Sequence, residues 1–431
     1  MLLRLTYRLL LILIAPVFLI GLYKPKPNKP KFGKRWKEHF GLTPAIQKPF
    51  ENPIWVHAVS VGEVVAITPL IKALKQQTPS LNIILTTTTS TGANEVEKLR
   101  NLVEHRYMPL DFTFAVKSFI KRMQPRALFI METELWPNTL YCCQRKNIPV
   151  TVINARLSER SAARYKKFPF IFNLLLRNID FVLAQTQQDA KRFIKLGLSA
   201  QQTQVTGSIK FDIKVTPTQL DEAKKLRTAL GNTRPVWIAA STHKGEDEQI
   251  IAAHQQVLTS IPEALLIIVP RHPERFSSVQ ELITKNKLSV ISRSSQHNIT
   301  EQTQVYLGDT MGEMMILLGS ADVCFIAGSL IGDKVGGHNL LEAAALKKPI
   351  LNGPSYFNFK EITEQLIALG ACTVCHDSRE IANAVKYLFA NVQVQNEQGE
   401  QALAFVEKNQ GALLKTSKAM SNLIQNNKLN D

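Results

Sequence analysis

From Pro53 onward the chain alternates short, almost uninterrupted apolar runs with longer segments of helical periodicity. This alternation constrains the fold more than any other feature. Apolar runs without a polar alternate suit strands that are buried on both faces, which means a parallel sheet covered by helices on each side. The first series of predicted strands is 54–59, 82–87, 127–131, 150–154 and 181–184. Helices are expected over 63–77, from Ser90-Thr91-Gly92, and near Trp136. A polar, charged stretch at 216–234 precedes a second series: 236–240, 264–270, 323–327, 349–351 and 373–375. A helix is expected from about Glu246, and residues 395–426 read as one long amphipathic helix. At 431 residues the chain exceeds one ordinary core. The expected architecture is α/β, with two Rossmann-like, doubly wound domains joined near residue 215 and facing a cleft. The expected segments are 1–23, an anchor; 24–52, a basic juxtamembrane stretch; 53–215 and 216–395, the two domains; and 396–431, a C-terminal helix returning to the first domain. Ligands of such sheets bind at the carboxyl ends of strands, at topological switch points.

The first 23 residues are apolar from Leu9 to Tyr23, after Arg4 and Arg8. That run falls short of the ~20 residues of a membrane span unless the arginines snorkel. Lys24-Pro25-Lys26-Pro27 follows it where a cleavage site would need small residues, so an uncleaved anchor is expected. Spanning and interfacial forms both stay open. Lys24, Lys26, Lys29, Lys31, Lys34, Arg35 and Lys37 crowd the next stretch. They favour a cytoplasmic location for the body and attraction to the anionic inner leaflet. The net charge of +17 points to acidic partners in general. Five cysteines without framework spacing read as reduced core thiols, Cys372 and Cys375 included.

Several strand ends carry chemistry-bearing residues. Ser60-Val61-Gly62-Glu63 follows the first strand. Glu63 is either a carboxylate at the positive end of a helix dipole or a base toward a substrate hydroxyl. Met131-Glu132-Thr133-Glu134-Leu135-Trp136-Pro137-Asn138 follows another strand of the same half, and one of its carboxylates is a candidate cap for the helix that proline opens. Lys210, in Gly207-Ser208-Ile209-Lys210, either meets an acidic ligand or pairs with Asp212. In the second half Arg271 and His272 stand at a strand end, where arginine suits phosphate or carboxylate. Gly308-Asp309-Thr310-Met311-Gly312-Glu313-Met314 opens a helix, and Gly336-Gly337-His338-Asn339-Leu340-Leu341-Glu342 runs into a helix of small residues; both offer backbone N–H groups to an anion. Together the three segments outline a nucleotide pocket. No dinucleotide fingerprint, phosphate-loop motif or metal-ligand cluster is present in the sequence, so no cofactor or metal is expected.

Six of these motifs, in this order, resemble the Kdo (3-deoxy-D-manno-octulosonic acid) transferases of Gram-negative bacteria: 60–63, 131–138, Asn154-Ala155-Arg156-Leu157-Ser158, Pro270-Arg271-His272-Pro273-Glu274-Arg275, 308–313 and 336–342. The resemblance covers nearly the whole chain. It implies a GT-B fold, CMP-Kdo as donor and a lipid A precursor, lipid IV-A, as acceptor, in lipopolysaccharide inner-core synthesis at the bacterial inner membrane. It implies Glu63 as proton acceptor, with Glu132 and Lys210 supporting the transition state. CMP contacts fall on Arg271, His272, Gly312, Glu313, Met314, Asn339, Leu340, Leu341 and Glu342. Residues 331–335 form a slightly longer loop before the double glycine than the family pattern suggests. Two other readings make different demands. A sugar-nucleotide epimerase of the same architecture needs neither anchor nor acceptor. A tethered polyanion binder, for nucleic acid or anionic lipid, leaves the carboxylates at two strand ends without a task.

Overall fold

In the computed structural model, residues 2–24, 30–46, 52–167, 172, 175–295 and 297–426 are described. The chain divides into two compact units, Met1–Asp212 with Gln410–Asp431, and Ile213–Asn409. The described part of the first contains strands β1 (Ile54–His57), β2 (Ile83–Thr87), β3 (Glu104–Tyr107), β4 (Ala127–Met131), β5 (Val150–Ala155), β6 (Phe181–Ala184) and β7 (Thr203–Val205). That of the second contains β8 (Val236–Thr242), β9 (Leu265–Pro270), β10 (Val290–Ser292), β11 (Val305–Leu307), β12 (Val323–Ile326), β13 (Ile350–Asn352) and β14 (Cys372–Val374). The sheet orders are β3-β2-β1-β4-β5-β6-β7 and β10-β11-β9-β8-β12-β13-β14. Every strand pairing is parallel.

The chain direction of sheet building reverses between β1 and β4 in one unit and between β8 and β12 in the other. Each is a switch point, where the loops after the two strands diverge and leave a crevice. The central strands are apolar on both faces because both faces are covered. Trp55, Leu128 and Ile130 belong to one core layer, Ile54, Val56 and Phe129 to the other. Full burial of each such side chain contributes roughly 1.5–3 kcal/mol.

The first helix, α1 (Leu2–Tyr23), docks on the first unit. Tyr7 donates to Asp111 Oδ2 at 2.9 Å, and the Tyr23 hydroxyl meets His39 Nδ1 at 2.7 Å. Its other face is bare: Leu13, Val17 and Ile20 are 76%, 74% and 68% exposed. No described helix is long and apolar enough to cross a membrane. Tyr7 and Arg8 interrupt the apolar run, and Tyr7 is tied to the body.

Lys26 and Lys29 of the basic stretch lie outside the described residues. Lys24, Lys31, Lys34 and Lys37 are exposed. Arg35 is not a free surface charge. It bonds Glu38 at 2.7 Å and His105 at 2.8 Å, and lies 4.7 Å from the centre of the Tyr107 ring.

The stretch expected as a single C-terminal helix is two, Val392–Asn409 and Ala412–Asn426. Between them Gly411 adopts φ +94°, a conformation glycine takes at little cost. Asp212 fixes the break by accepting the N–H groups of Gly411 at 2.7 Å and Leu413 at 2.6 Å. The second helix buries Met420 and Ile424 in the core of the first unit. All five cysteines are buried and outside disulfide bonds.

Candidate active site

In the first unit the loops after β1 and β4 flank the switch point. Glu63 stands in the first turn of α2 (Val61–Gln77). Its Oε2 accepts the Val59 N–H at 2.8 Å and its Oε1 accepts the Ser60 hydroxyl at 3.4 Å. These two contacts leave lone pairs unused. Burial pushes the Glu63 carboxyl up to about 7; the Val59 N–H opposes this, and the negative charges of Glu132 and Glu134 add to it. A helix-start carboxylate that served only the dipole would be held low, so the site works against ionisation here.

Glu132 closes β4 with φ +57°, a left-handed conformation that costs a non-glycine residue about 1 kcal/mol or more. The strain turns its carboxylate to Lys210, whose Nζ donates to Oε1 at 3.2 Å. Lys210 therefore pairs with Glu132, and the alternative partner, Asp212, is occupied by the Gly411 and Leu413 N–H groups. The cap question at Pro137 is also resolved. Neither glutamate of the motif caps that helix. Asp111 does, accepting the Asn138 and Thr139 N–H groups at 2.8 and 2.7 Å. Glu134 stays half-buried, and burial, then the Glu132 charge, raises its pKa. Asn154, at the end of β5 with φ +49°, is fully buried and accepts the Ile209 N–H at 3.2 Å, which fixes the turn carrying Lys210.

In the second unit the corresponding loops follow β8 and β12. Glu246 occupies the place after β8 that Glu63 holds after β1, but its carboxylate is fully engaged. It accepts N–H groups from Gly328, Ser329 and Leu330 at 2.8–2.9 Å and from His243 at 3.0 Å. Above it lies a histidine cluster. His243 and His338 approach at 2.8 Å between their Nε2 atoms, with rings 5.0 Å apart, and His272 stands edge-on to His243 at 5.4 Å. Burial pushes His243 down to about 4 and His338 to about 3, and the neighbouring cationic groups add to both. Both rings are thus neutral at pH 7, and one Nε2–H donates to the other ring. Gly328 makes room for this pair: φ is +74°, and a Cβ there would sit 2.7 Å from the His338 ring.

Arg271 and His272 are exposed at the end of β9. The charge of Arg271 reaches Glu342, His243 and His338, so these four residues share one environment. Burial raises the Glu342 pKa, while the Asn339 side chain and Arg271 oppose it. Leu340 and Leu341 are fully buried, and the Leu341 N–H donates to Asn339 Oδ1 at 3.1 Å. Gly312, Glu313 and Met314 form a turn held from another side. Arg293 Nη2 donates to Glu313 Oε1 at 2.9 Å, Thr310 donates to Glu313, and Ser294 N–H donates to Asp309 Oδ1 at 2.9 Å. The Glu313 carboxylate is a strut of this turn, and Gly312, with φ +85° and open space around it, is its exposed tip. The loop 331–335 is pinned by Ser355, which donates to Gly332 O at 2.7 Å.

Sequence reasoning missed His243, Glu246, Asn154 and Arg293 as members of the sites. The first two follow a predicted strand directly, a position that should have been read with the other strand ends. Asn154 stood in the motif 154–158 without an assigned role, and nothing local marks Arg293. Among the described residues no group of three or more histidine, cysteine or acidic side chains is arranged to hold a metal ion.

Comparison with known proteins identifies the family. Residues 34–213 match the family described as 3-deoxy-D-manno-octulosonic-acid transferase (kdotransferase), and residues 238–405 match glycosyl transferases group 1. The chain is 40% identical to the 3-deoxy-D-manno-octulosonic acid transferase of Haemophilus influenzae, over 95% of this chain and 96% of that one. It is 33% identical to that of Bordetella pertussis, over 96% and 98%. Among solved structures, the UDP-GlcNAc 2-epimerase of Neisseria meningitidis bound to UDP-GlcNAc covers 88% of this chain and 100% of its own, with TM-score 0.56 and 15% identity. That likeness concerns the fold, a two-domain GT-B arrangement that epimerases and glycosyltransferases share. Sequence distinguishes what the fold does not: this chain belongs to the 3-deoxy-D-manno-octulosonic acid transferase family of glycosyltransferases.

Proposed function

We propose that the chain moves Kdo from CMP-Kdo to a hydroxyl of a lipid A precursor, lipid IV-A, in one inverting displacement with Glu63 as the base. The observation that carries this reading is a half-buried carboxyl with a pKa near 7 beside two further carboxylates and a lysine. A base is most effective when its pKa lies near the working pH, because it is then ionised yet still basic. Glu63 takes the hydroxyl proton as the oxygen attacks the anomeric carbon and the bond to CMP breaks. The electrons of that bond leave with the CMP phosphate, and positive charge builds on the sugar ring. Geometrically this matches an inverting glycosidase with water replaced by a lipid hydroxyl. Glu132, held by Lys210, stabilises that charge.

The second unit supplies the nucleotide end. Arg271 and His272 take the phosphate, the neutral rings of His243 and His338 offer hydrogen bonds without repelling Arg271, and Glu342 accepts from the ribose. Gly312, Glu313 and Met314 present backbone N–H groups, and of residues 339–341 only Asn339 is open to a ligand, since Leu340 and Leu341 are buried. No metal enters this scheme. The bare apolar face of α1 and the exposed lysines beside it suit attachment to the cytoplasmic surface of the inner membrane, with the helix in the interface.

The test is direct. The protein is incubated with CMP-Kdo and a tetra-acylated lipid A precursor, and the lipid is weighed by mass spectrometry. The reading expects a product heavier by one or more Kdo residues, with CMP released in equal number. Release of CMP without a heavier lipid would overturn it.

A further inference from the structure

An apolar groove runs beneath α1. It is lined by Leu11, Ala15 and Leu19 of the helix and by Met108, Phe112 and Trp136 of the body. Its cavity volume is about 110 Å³. A groove between a helix and its domain is ordinarily just an imperfect seam, closed further when packing allows. Three observations give this one a direction.

Both loops of the candidate site border it. Thr88, in its wall, donates its N–H to Val59 O at 3.3 Å, and Val59 donates its own N–H to Glu63. Trp136, also in its wall, is two residues beyond Glu134 in the loop that carries Glu132. The second observation is polar: the Trp136 indole N–H is buried without an acceptor among the described residues, which is costly for a donor. The third is the exposed apolar row on the outer face of α1, including Leu13, Val17 and Ile20, which places the groove at the edge of a surface that itself favours lipid.

We infer that the groove seats one acyl chain of the lipid acceptor beside the reacting hydroxyl. This rests on the acceptor proposed above. The chain enters from the lipid side, its first methylenes fill the space between α1 and Trp136, and its ester or amide carbonyl supplies the acceptor that the indole N–H lacks. Tyr7, through its bond to Asp111, holds the helix over the groove. Acyl binding thus orients the sugar without contributing to the chemistry, which makes the lining residues positioning residues.

Two measurements test it. Ala15→Phe places a ring in the groove. The KM for tetra-acylated acceptor should then rise about tenfold relative to the KM for the same headgroup with its acyl chains removed. Separately, the unmodified protein is mixed with acceptor whose chains carry bromine, a contact quencher of tryptophan; quenching should fall when Trp136→Phe removes the responding ring. An unchanged KM ratio, or quenching identical in Trp136→Phe, would overturn the groove. So would equal quenching of Trp136 by brominated bulk phospholipid, which would make it a site for membrane lipid. Failure of the acceptor reading looks different: the unmodified protein would then transfer Kdo to neither acceptor.

Discussion

The two switch points are built alike and charged oppositely. In the first unit the glutamate after the first strand keeps free lone pairs, sits among Glu132 and Glu134, and is pushed up to about 7. In the second, the glutamate in the same place, Glu246, accepts four backbone N–H groups. There the functional surface is made of Arg271 and three histidines, two of them held neutral by burial. One topology therefore yields an acid-rich strand end with a raised carboxyl and a strand end that carries Arg271 beside neutral histidines. The difference comes from where the backbone donors are directed. Four backbone donors occupy Glu246, whereas Glu63 accepts one backbone N–H and one hydroxyl.

Exchanging the roles of the two glutamates would break the comparison. The largest effect is expected at Glu63: Glu63→Gln should lower transfer by about 10³-fold at pH 7.5 with the fold intact. Stability should move the other way. The folded pKa of about 7 exceeds the ordinary 4.5, so folding favours the protonated form. That preference is fully present below about 4.5 and is lost as pH rises through 7. Glu63→Gln should therefore melt higher than the unmodified protein at pH 8, and the gain should shrink as pH falls and vanish below about pH 4.

Glu246→Ala is expected to do the reverse, costing roughly 3 kcal/mol of stability because buried N–H groups lose their acceptor. Calorimetry checks this; a melting temperature within 1 °C of the parent, about the scale of a few tenths of a kcal/mol, would remove the scaffold role. Third, Arg271→Gln should raise the KM for CMP-Kdo about thirtyfold and leave the acceptor KM nearly unchanged, since a lost charged hydrogen bond is worth about 1.5–3 kcal/mol. The smallest effect is expected at Arg293, which holds Glu313 at 2.9 Å. Arg293→Gln should raise the donor KM about threefold, with partial recovery in Arg293→Lys, because a partly exposed ion pair contributes about 1 kcal/mol or less.

Much of this was legible in the chain. The apolar runs gave ten strands close to their true positions, since a strand buried on both faces has few other compositions available. The four that escaped notice show why. β3 reads Glu-His-Arg-Tyr and is an edge strand, partly covered by the segment carrying Arg35, which satisfies its polar side chains. β7, β10 and β11 have only three residues each, as do β13 and β14, and at that length no period registers, so some such strands are read and others escape. The site motifs stood at strand ends and could be read there. Partners across the fold could not: Asp111 capping the helix at Pro137, or Lys210 meeting Glu132 rather than Asp212, depends on neighbours that only the sheet order brings together. The C-terminal helix misled for a simpler reason, because a left-handed glycine interrupts a helix without changing its amphipathic pattern.

The central claim is that Glu63 takes the proton, and the pH profile of single-turnover Kdo transfer tests it most directly. In the unmodified protein the rate should fall about tenfold per pH unit below about 7, as the Glu63 carboxyl takes up a proton. In Glu63→Gln it should be about 10³-fold slower at pH 8 and flat across the same range. The same slope in both proteins, or a Gln variant within a few-fold of the parent at pH 8, would contradict the assignment.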